Sequence, residues 1–190
     1  DPDMLSFLLL ATLASPQAPA TIEAVRKTQA ERTKVIAKVQ PSVCAVMSVS
    51  SPGGGSGVII DPAGFIVSNF HVVQKRKKKQ PRLKGQKVKK QSFDPANKVM
   101  KIGLPDGKLY LADVVGIDPG SDLAVLLLRP RKDGKPWPYS KMGDSDALLV
   151  GETVFAMGNP FLLATDFTPT LTWGIVSGTH RYQAGQGNRL

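Results

Sequence analysis

Few residues in this chain of 190 are suited to moving protons. Histidine, whose ordinary pKa lies closest to neutral pH, occurs twice, as His71 and His180. His71 sits in Phe65-Ile66-Val67-Ser68-Asn69-Phe70-His71-Val72-Val73, directly after a strand-like run. On its own it reads as a packed, hydrogen-bonded core residue. Asp122 sits in Gly116-Ile117-Asp118-Pro119-Gly120-Ser121-Asp122-Leu123-Ala124-Val125, at the mouth of an aliphatic run, and alone it reads as a turn or cap residue. Paired, the two read differently. An acid placed where a strand enters the core can be desolvated and aimed at an imidazole, fixing its tautomer and stabilising its protonated form. That arrangement activates a serine nucleophile, and histidine before aspartate, with serine still to come, is one of the chain orders in which it occurs.

The elements that would hold this pair are short strands. Hydrophobic residues at 42% and charged residues at 21% exclude a wholly disordered chain and a multi-span membrane protein. Eighteen Gly and fifteen Pro suit a loop-rich β protein. A Val-rich strand is expected over 42–50. One hairpin is expected from 57–61, the turn Pro62-Ala63-Gly64 and 65–68, and another from 99–104, the turn Pro105-Asp106-Gly107 and 108–115. Leu123 to Leu128 reads as a strand with both faces covered, and 152–157 and 171–177 add two more. Such a series argues for a sandwich or barrel. Cys44 is the only cysteine, which excludes an intrachain disulfide or a multi-thiolate metal site, and its Val-rich setting marks it as a small buried hydrophobe. His180, in the polar stretch 179–188, is expected on a surface loop.

Two segments stand apart. Residues 1–20 hold a short apolar run followed by small residues and prolines, too short to span a bilayer and suited to the core of a signal peptide. Residues 21–40 read as one helix, capped by Thr21 and stopped by Pro41, with apolar positions too sparse for a core helix. The net charge of +10 is local. Residues 75–101 carry twelve Lys or Arg against Asp94, a net of +11, which leaves −1 on the rest of the chain. Residues 74–97 are therefore expected to form a solvated loop inserted between strands. Its lysine density suits an anionic surface or polymer. Base stacking needs aromatics and the segment offers Phe93 alone, so nucleic acid is not the expected partner.

Several spaced motifs, in order, resemble one family. Gly55-Ser56-Gly57-Val58-Ile59-Ile60-Asp61 and Gly64-Phe65-Ile66-Val67-Ser68-Asn69-Phe70-His71-Val72-Val73 look like the histidine region of the HtrA/Deg trypsin-like serine proteases. Asp118-Pro119-Gly120-Ser121-Asp122-Leu123-Ala124-Val125 is similar to their aspartate region. Gly143-Asp144-Ser145-Asp146, Val150-Gly151-Glu152-Thr153-Val154, Ala156-Met157-Gly158-Asn159-Pro160 and Thr172-Trp173-Gly174-Ile175-Val176-Ser177 continue the match, which runs from about Val35 to Ser177. Two departures stand out: Phe161-Leu162-Leu163 lies where that family commonly carries a Gly, and Trp173 replaces a small residue.

The resemblance implies an all-β, chymotrypsin-like double β-barrel, the first barrel complete and the second partial, preceded by an N-terminal helix. The trypsin-like protease domain would occupy 41–190 and be incomplete at its C-terminus. His71 would be general base and then general acid, and Asp122 would orient it. The family's nucleophile lies in a Gly-Asn-Ser-Gly-Gly loop that these residues do not contain. Ser56 and Ser177 fall in strand patterns, and Ser68, Ser121 and Ser145 flank motifs, so none reads as its replacement. The 190-residue chain alone is therefore expected to be inactive, because losing the nucleophile costs on the order of 10⁶ in turnover. By resemblance the full protein would be an exported endopeptidase of the periplasm or cell envelope. It would cleave unfolded or damaged polypeptides, assemble as a homotrimer and use no metal or organic cofactor. The alternative is a non-catalytic, protease-like binding module that holds an anionic partner with its basic loop.

Overall fold

The computed structural model describes residues 21–49, 53–74, 98–159 and 164–181. The expected signal peptide, the basic loop beyond Gln74 and Phe161-Leu162-Leu163 lie outside them. The chain divides between Lys38 and Val39 into two units. Helix α1 (Ile22–Val39) begins where Thr21 Oγ1 accepts the Ala24 N–H at 3.2 Å, and none of its residues is buried.

Among its described residues the second unit has eight strands: β1 (Val43–Ser48), β2 (Gly54–Ile59), β3 (Phe65–Asn69), β4 (Val99–Gly103), β5 (Leu109–Asp118), β6 (Leu123–Leu128), β7 (Thr153–Gly158) and β8 (Thr170–Ile175). The first six close into a barrel in the order β1-β2-β3-β6-β5-β4, every neighbouring pair antiparallel. Closure leaves no free edge. Its interior holds Cys44, Val46, Ile59, Ile66, Met100, Ile102, Ala112, Ala124, Leu126 and Leu128, all at 2% exposure or less. At Cys44, burial pushes the thiol up to about 12 against a hydrogen bond at Gly57, so the cysteine is a core residue, as expected.

Both expected hairpins form, and their turns show why. In the first, Asp61 accepts the Ala63 N–H on Oδ1 at 2.8 Å and the Gly64 N–H on its backbone oxygen at 2.9 Å. In the second, Asp106 Oδ1 accepts the Lys108 N–H at 3.0 Å, while the Leu104 oxygen accepts from Gly107 at 3.0 Å. Two details differ from the sequence reading. Leu123 to Leu128 is not covered on both faces: Ala124, Leu126 and Leu128 point into the barrel, whereas Leu123 is exposed and Val125 and Leu127 are half-buried. The reason is the architecture, a closed antiparallel barrel whose outer face meets solvent. Strand β8 ends at Ile175, so Ser177 lies beyond it.

Strands β7 and β8 pair with each other in a two-stranded sheet, and β7 packs against β1 and β2. The contact is made close by Gly158, where a Cβ would stand 2.7 Å from Ser56 Oγ. Ser56 Oγ accepts the N–H of the next residue, Asn159, at 2.9 Å. The fully buried Asn159 side chain in turn bridges to Ala164, donating to its oxygen and accepting its N–H, each at 3.1 Å.

Candidate active site

His71 and Asp122 are fifty-one residues apart in sequence and meet at one end of the barrel, with His71 Nδ1 2.6 Å from Asp122 Oδ2. Each is delivered by a strand. Strand β3 runs into α2 (Phe70–Val73), a single helical turn that carries His71 as its second residue. Val73 anchors the turn in the core, and Val72 packs over Gly55 of β2, where a Cβ would lie 2.6 Å from Val72 Cγ2. Gly55 thus lets the turn sit down on the barrel.

Asp122 comes from the β5–β6 connection. A bulge between Val114 and Gly116 shifts the register in which the ten-residue β5 pairs with β6. The turn that follows is fixed by Asp118, whose Oδ1 accepts the Gly120 N–H at 2.9 Å and whose Oδ2 accepts the Ser121 hydroxyl at 2.5 Å. These bonds hold the Asp118 carboxyl below its usual value. The chain leaves the turn with Asp122 at φ 57°, a left-handed conformation that aspartate tolerates better than most residues. There its backbone oxygen accepts the Phe70 N–H at 2.9 Å.

The Asp122 carboxylate serves both the backbone and the ring of His71. Oδ1 accepts the His71 backbone N–H at 2.9 Å, one of the amides that the start of a helix leaves unpaired, while Oδ2 faces the ring. The Asn69 side-chain amide donates to the Asp122 backbone oxygen at 3.2 Å and to Oδ2 at 3.3 Å. Partial burial pushes this carboxyl up. The bonds from the His71 amide and ring and from Asn69 outweigh that, so it stays below the usual carboxylate value.

With Asp122 ionised, the proton shared with the imidazole belongs on Nδ1, which leaves Nε2 as a proton acceptor. The pair is more open than the expected desolvated acid, with side-chain exposures of 66% for His71 and 36% for Asp122. The reason is position: Asp122 precedes β6 and stands at the barrel rim rather than in its interior.

The other sequence candidates fall elsewhere. The Ser68 hydroxyl donates to the Ser56 carbonyl at 2.8 Å inside the barrel wall, Ser121 is held by Asp118, and Ser56 receives Asn159. His180 is exposed, with Nε2 3.7 Å from Asp146. Asn69 was not singled out in the sequence; its place two residues before His71 was the available signal. Among the described residues no group of three or more His, Cys, Asp or Glu could hold a metal ion, and no helix is long and apolar enough to cross a membrane.

Comparison with known proteins extends the geometry. Residues 55–190 match the family of the trypsin-like peptidase domain. The chain is 41% identical over 128 residues to the periplasmic serine endoprotease DegP of Salmonella typhimurium, covering 67% of this chain and 21% of that protein. It is 34% identical over 129 residues to a DegP-like periplasmic serine endoprotease of Chlamydia pneumoniae, covering 68% and 20%. It therefore spans about a fifth of the length of these relatives. Among solved structures, the HtrA-type protease AlgW with tripeptide superposes with a TM-score of 0.59 at 28% identity, covering 80% of this chain and 42% of that one.

Proposed function

From the premise that this chain belongs to the trypsin-like peptidases, and within them to the HtrA/Deg serine proteases, we propose that the protein is a serine endopeptidase whose base and orienting acid are His71 and Asp122. The observation that carries this reading is the double contact of Asp122 with His71, 2.9 Å to its amide and 2.6 Å to its ring. The amide contact fixes where the histidine stands and the ring contact fixes which nitrogen is basic. His71 Nε2 would take the proton of a serine hydroxyl as the oxygen attacks a peptide carbonyl. The imidazolium, stabilised by the Asp122 carboxylate, would then pass that proton to the departing amine. Water repeats the sequence to release the acyl group. The hydroxyls of Ser56, Ser68 and Ser121 are engaged elsewhere, and the nucleophile in this reading is the serine of the Gly-Asn-Ser-Gly-Gly loop that the family resemblance implies.

The substrates in this reading are unfolded or damaged polypeptides taken in extended form, in keeping with the tripeptide named with the solved relative. The working location is the periplasm or cell envelope, as the relatives' names have it, and the assembly is a homotrimer. The test is casein hydrolysis by the full-length protein. His71→Ala should lower turnover by on the order of 10⁶ and Asp122→Asn by about 10⁴, with folding intact. Unchanged hydrolysis in the His71 variant would overturn the assignment.

A further inference from the structure

A second residue shapes the pair. Asn69 occupies the position before α2, at φ −88° and ψ 146°, where an asparagine ordinarily turns its side-chain oxygen onto the first free amides of the helix. Here it makes no such cap. The cap is supplied from fifty-one residues away, by Asp122 Oδ1 on the His71 N–H. Asn69 is thereby released to do the converse and donate. Its Nδ2 reaches the backbone oxygen of Asp122 at 3.2 Å and the carboxylate Oδ2 at 3.3 Å. Both targets can only accept, so the amide must present its NH₂ to them. One NH₂ group therefore ties the main chain of Asp122 to its own side chain.

Resting on the protease reading above, we infer that Asn69 is a positioning residue: it holds the half-exposed Asp122 carboxylate in the one setting that serves both the His71 amide and the His71 ring. That carboxylate needs a restraint. It hangs from a backbone in the left-handed region, and at 36% side-chain exposure water competes for its oxygens. Rotated outward, it would drop the Nδ1 contact and leave the imidazole free to put its proton on Nε2, which removes the base. Among the described residues, the titratable groups named at this rim are His71 on α2, Asp122 before β6, and Asp118 at the end of β5, whose carboxylate is taken up by Gly120 and Ser121.

The test reads the tautomer directly. Long-range ¹H–¹⁵N spectra of the labelled 190-residue chain distinguish Nδ1–H from Nε2–H in neutral His71, with a His180→Gln spectrum supplying the assignment. Asn69→Leu, close in shape but without a donor, and Asn69→Ala should each lower the Nδ1–H to Nε2–H ratio at least about fivefold. Asn69→Gln, which keeps an amide donor, should stay within about twofold of the parent ratio. An unchanged ratio in folded Leu and Ala variants would overturn the inference. The unsubstituted chain provides a check that no folding defect can spoil: the Asn69 NH₂ protons should exchange at least about tenfold more slowly than those of a free carboxamide, and equal rates would equally overturn it. In the full-length protein, Asn69→Leu should lower kcat about tenfold with KM unchanged and displace the pH profile. Absence of any hydrolysis by the parent protein would count against the protease reading and leave the tautomer result standing.

Discussion

Strands β6 and β8 are each six residues long, and both carry apolar side chains at alternate positions. In β6, Ala124, Leu126 and Leu128 are at 2% exposure or less; in β8, Leu171, Trp173 and Ile175 stand at 36%, 54% and 60%. What separates them is closure. Strand β6 has a hydrogen-bonded neighbour on each side, and its inward side chains face the other five walls of the barrel. Strand β8 pairs with β7, which places Phe155 opposite Trp173 and Met157 opposite Leu171 on one face of a two-stranded sheet. Alternation makes a face apolar, but only a surrounding wall removes it from water. The candidate pair inherits rigidity from the closed region. Asp122 leads into β6 and His71 follows β3, and those two strands are paired from Phe65–Leu127 to Asn69–Leu123.

The largest contrast is expected from paired truncations. Leu126→Ala removes atoms from the closed interior and should lower the unfolding free energy by about 2–5 kcal/mol. Ile175→Ala on the open sheet should stay within about 0.5 kcal/mol. Urea denaturation followed by circular dichroism measures both, and comparable losses would break the distinction between the regions.

A smaller effect is expected where the regions join. Ser56→Ala removes the acceptor for the Asn159 N–H, in a residue that is 1% exposed, and should cost about 1–3 kcal/mol. Amide exchange should quicken at Asn159 and stay unchanged at Leu126. Uniform quickening across the barrel would show that the sheet and barrel unfold as one unit.

The smallest effect concerns pH. The carboxyls of Asp113, paired with Arg129, of Asp118, bound by Ser121 and Gly120, and of Asp133, paired with Arg131, are held below their ordinary 3.8, as is that of Asp122. A carboxyl lowered in the folded state binds fewer protons there than in the unfolded chain. Its contribution is therefore complete above 3.8 and disappears as pH falls through the folded value. The urea midpoint should be level from neutrality to about pH 5 and decline below it, less steeply in salt because Asp113 and Asp133 are on the surface. A midpoint rising on acidification would contradict the sign.

Much of the barrel was legible in the chain. Asp61 with Gly64, and Asp106 with Gly107, mark turns by their own hydrogen bonding, and short apolar runs flank them on each side. The pairing of His71 with Asp122 was legible as chemistry, because an acid and an imidazole in that order gain meaning only together. Two features of the site were hidden. Asp122 is half-exposed rather than desolvated, since the start of a strand does not say whether it opens inside a barrel or at its rim. Asn69 carries no mark of its role along the chain, because its donation to Asp122 crosses a gap of fifty-three residues.

Local order in this protein follows from interactions among neighbours a few residues apart, so strand periods, turn residues, the Thr21 cap and the fate of Cys44 can all be read along the chain. Barrel closure, the exposure of Trp173 and the exchange of roles between Asn69 and Asp122 depend on contacts between distant segments. Hydrogen bonds of about 3 Å reward only groups already brought together, and which groups those are was decided by the pairing of β3 with β6.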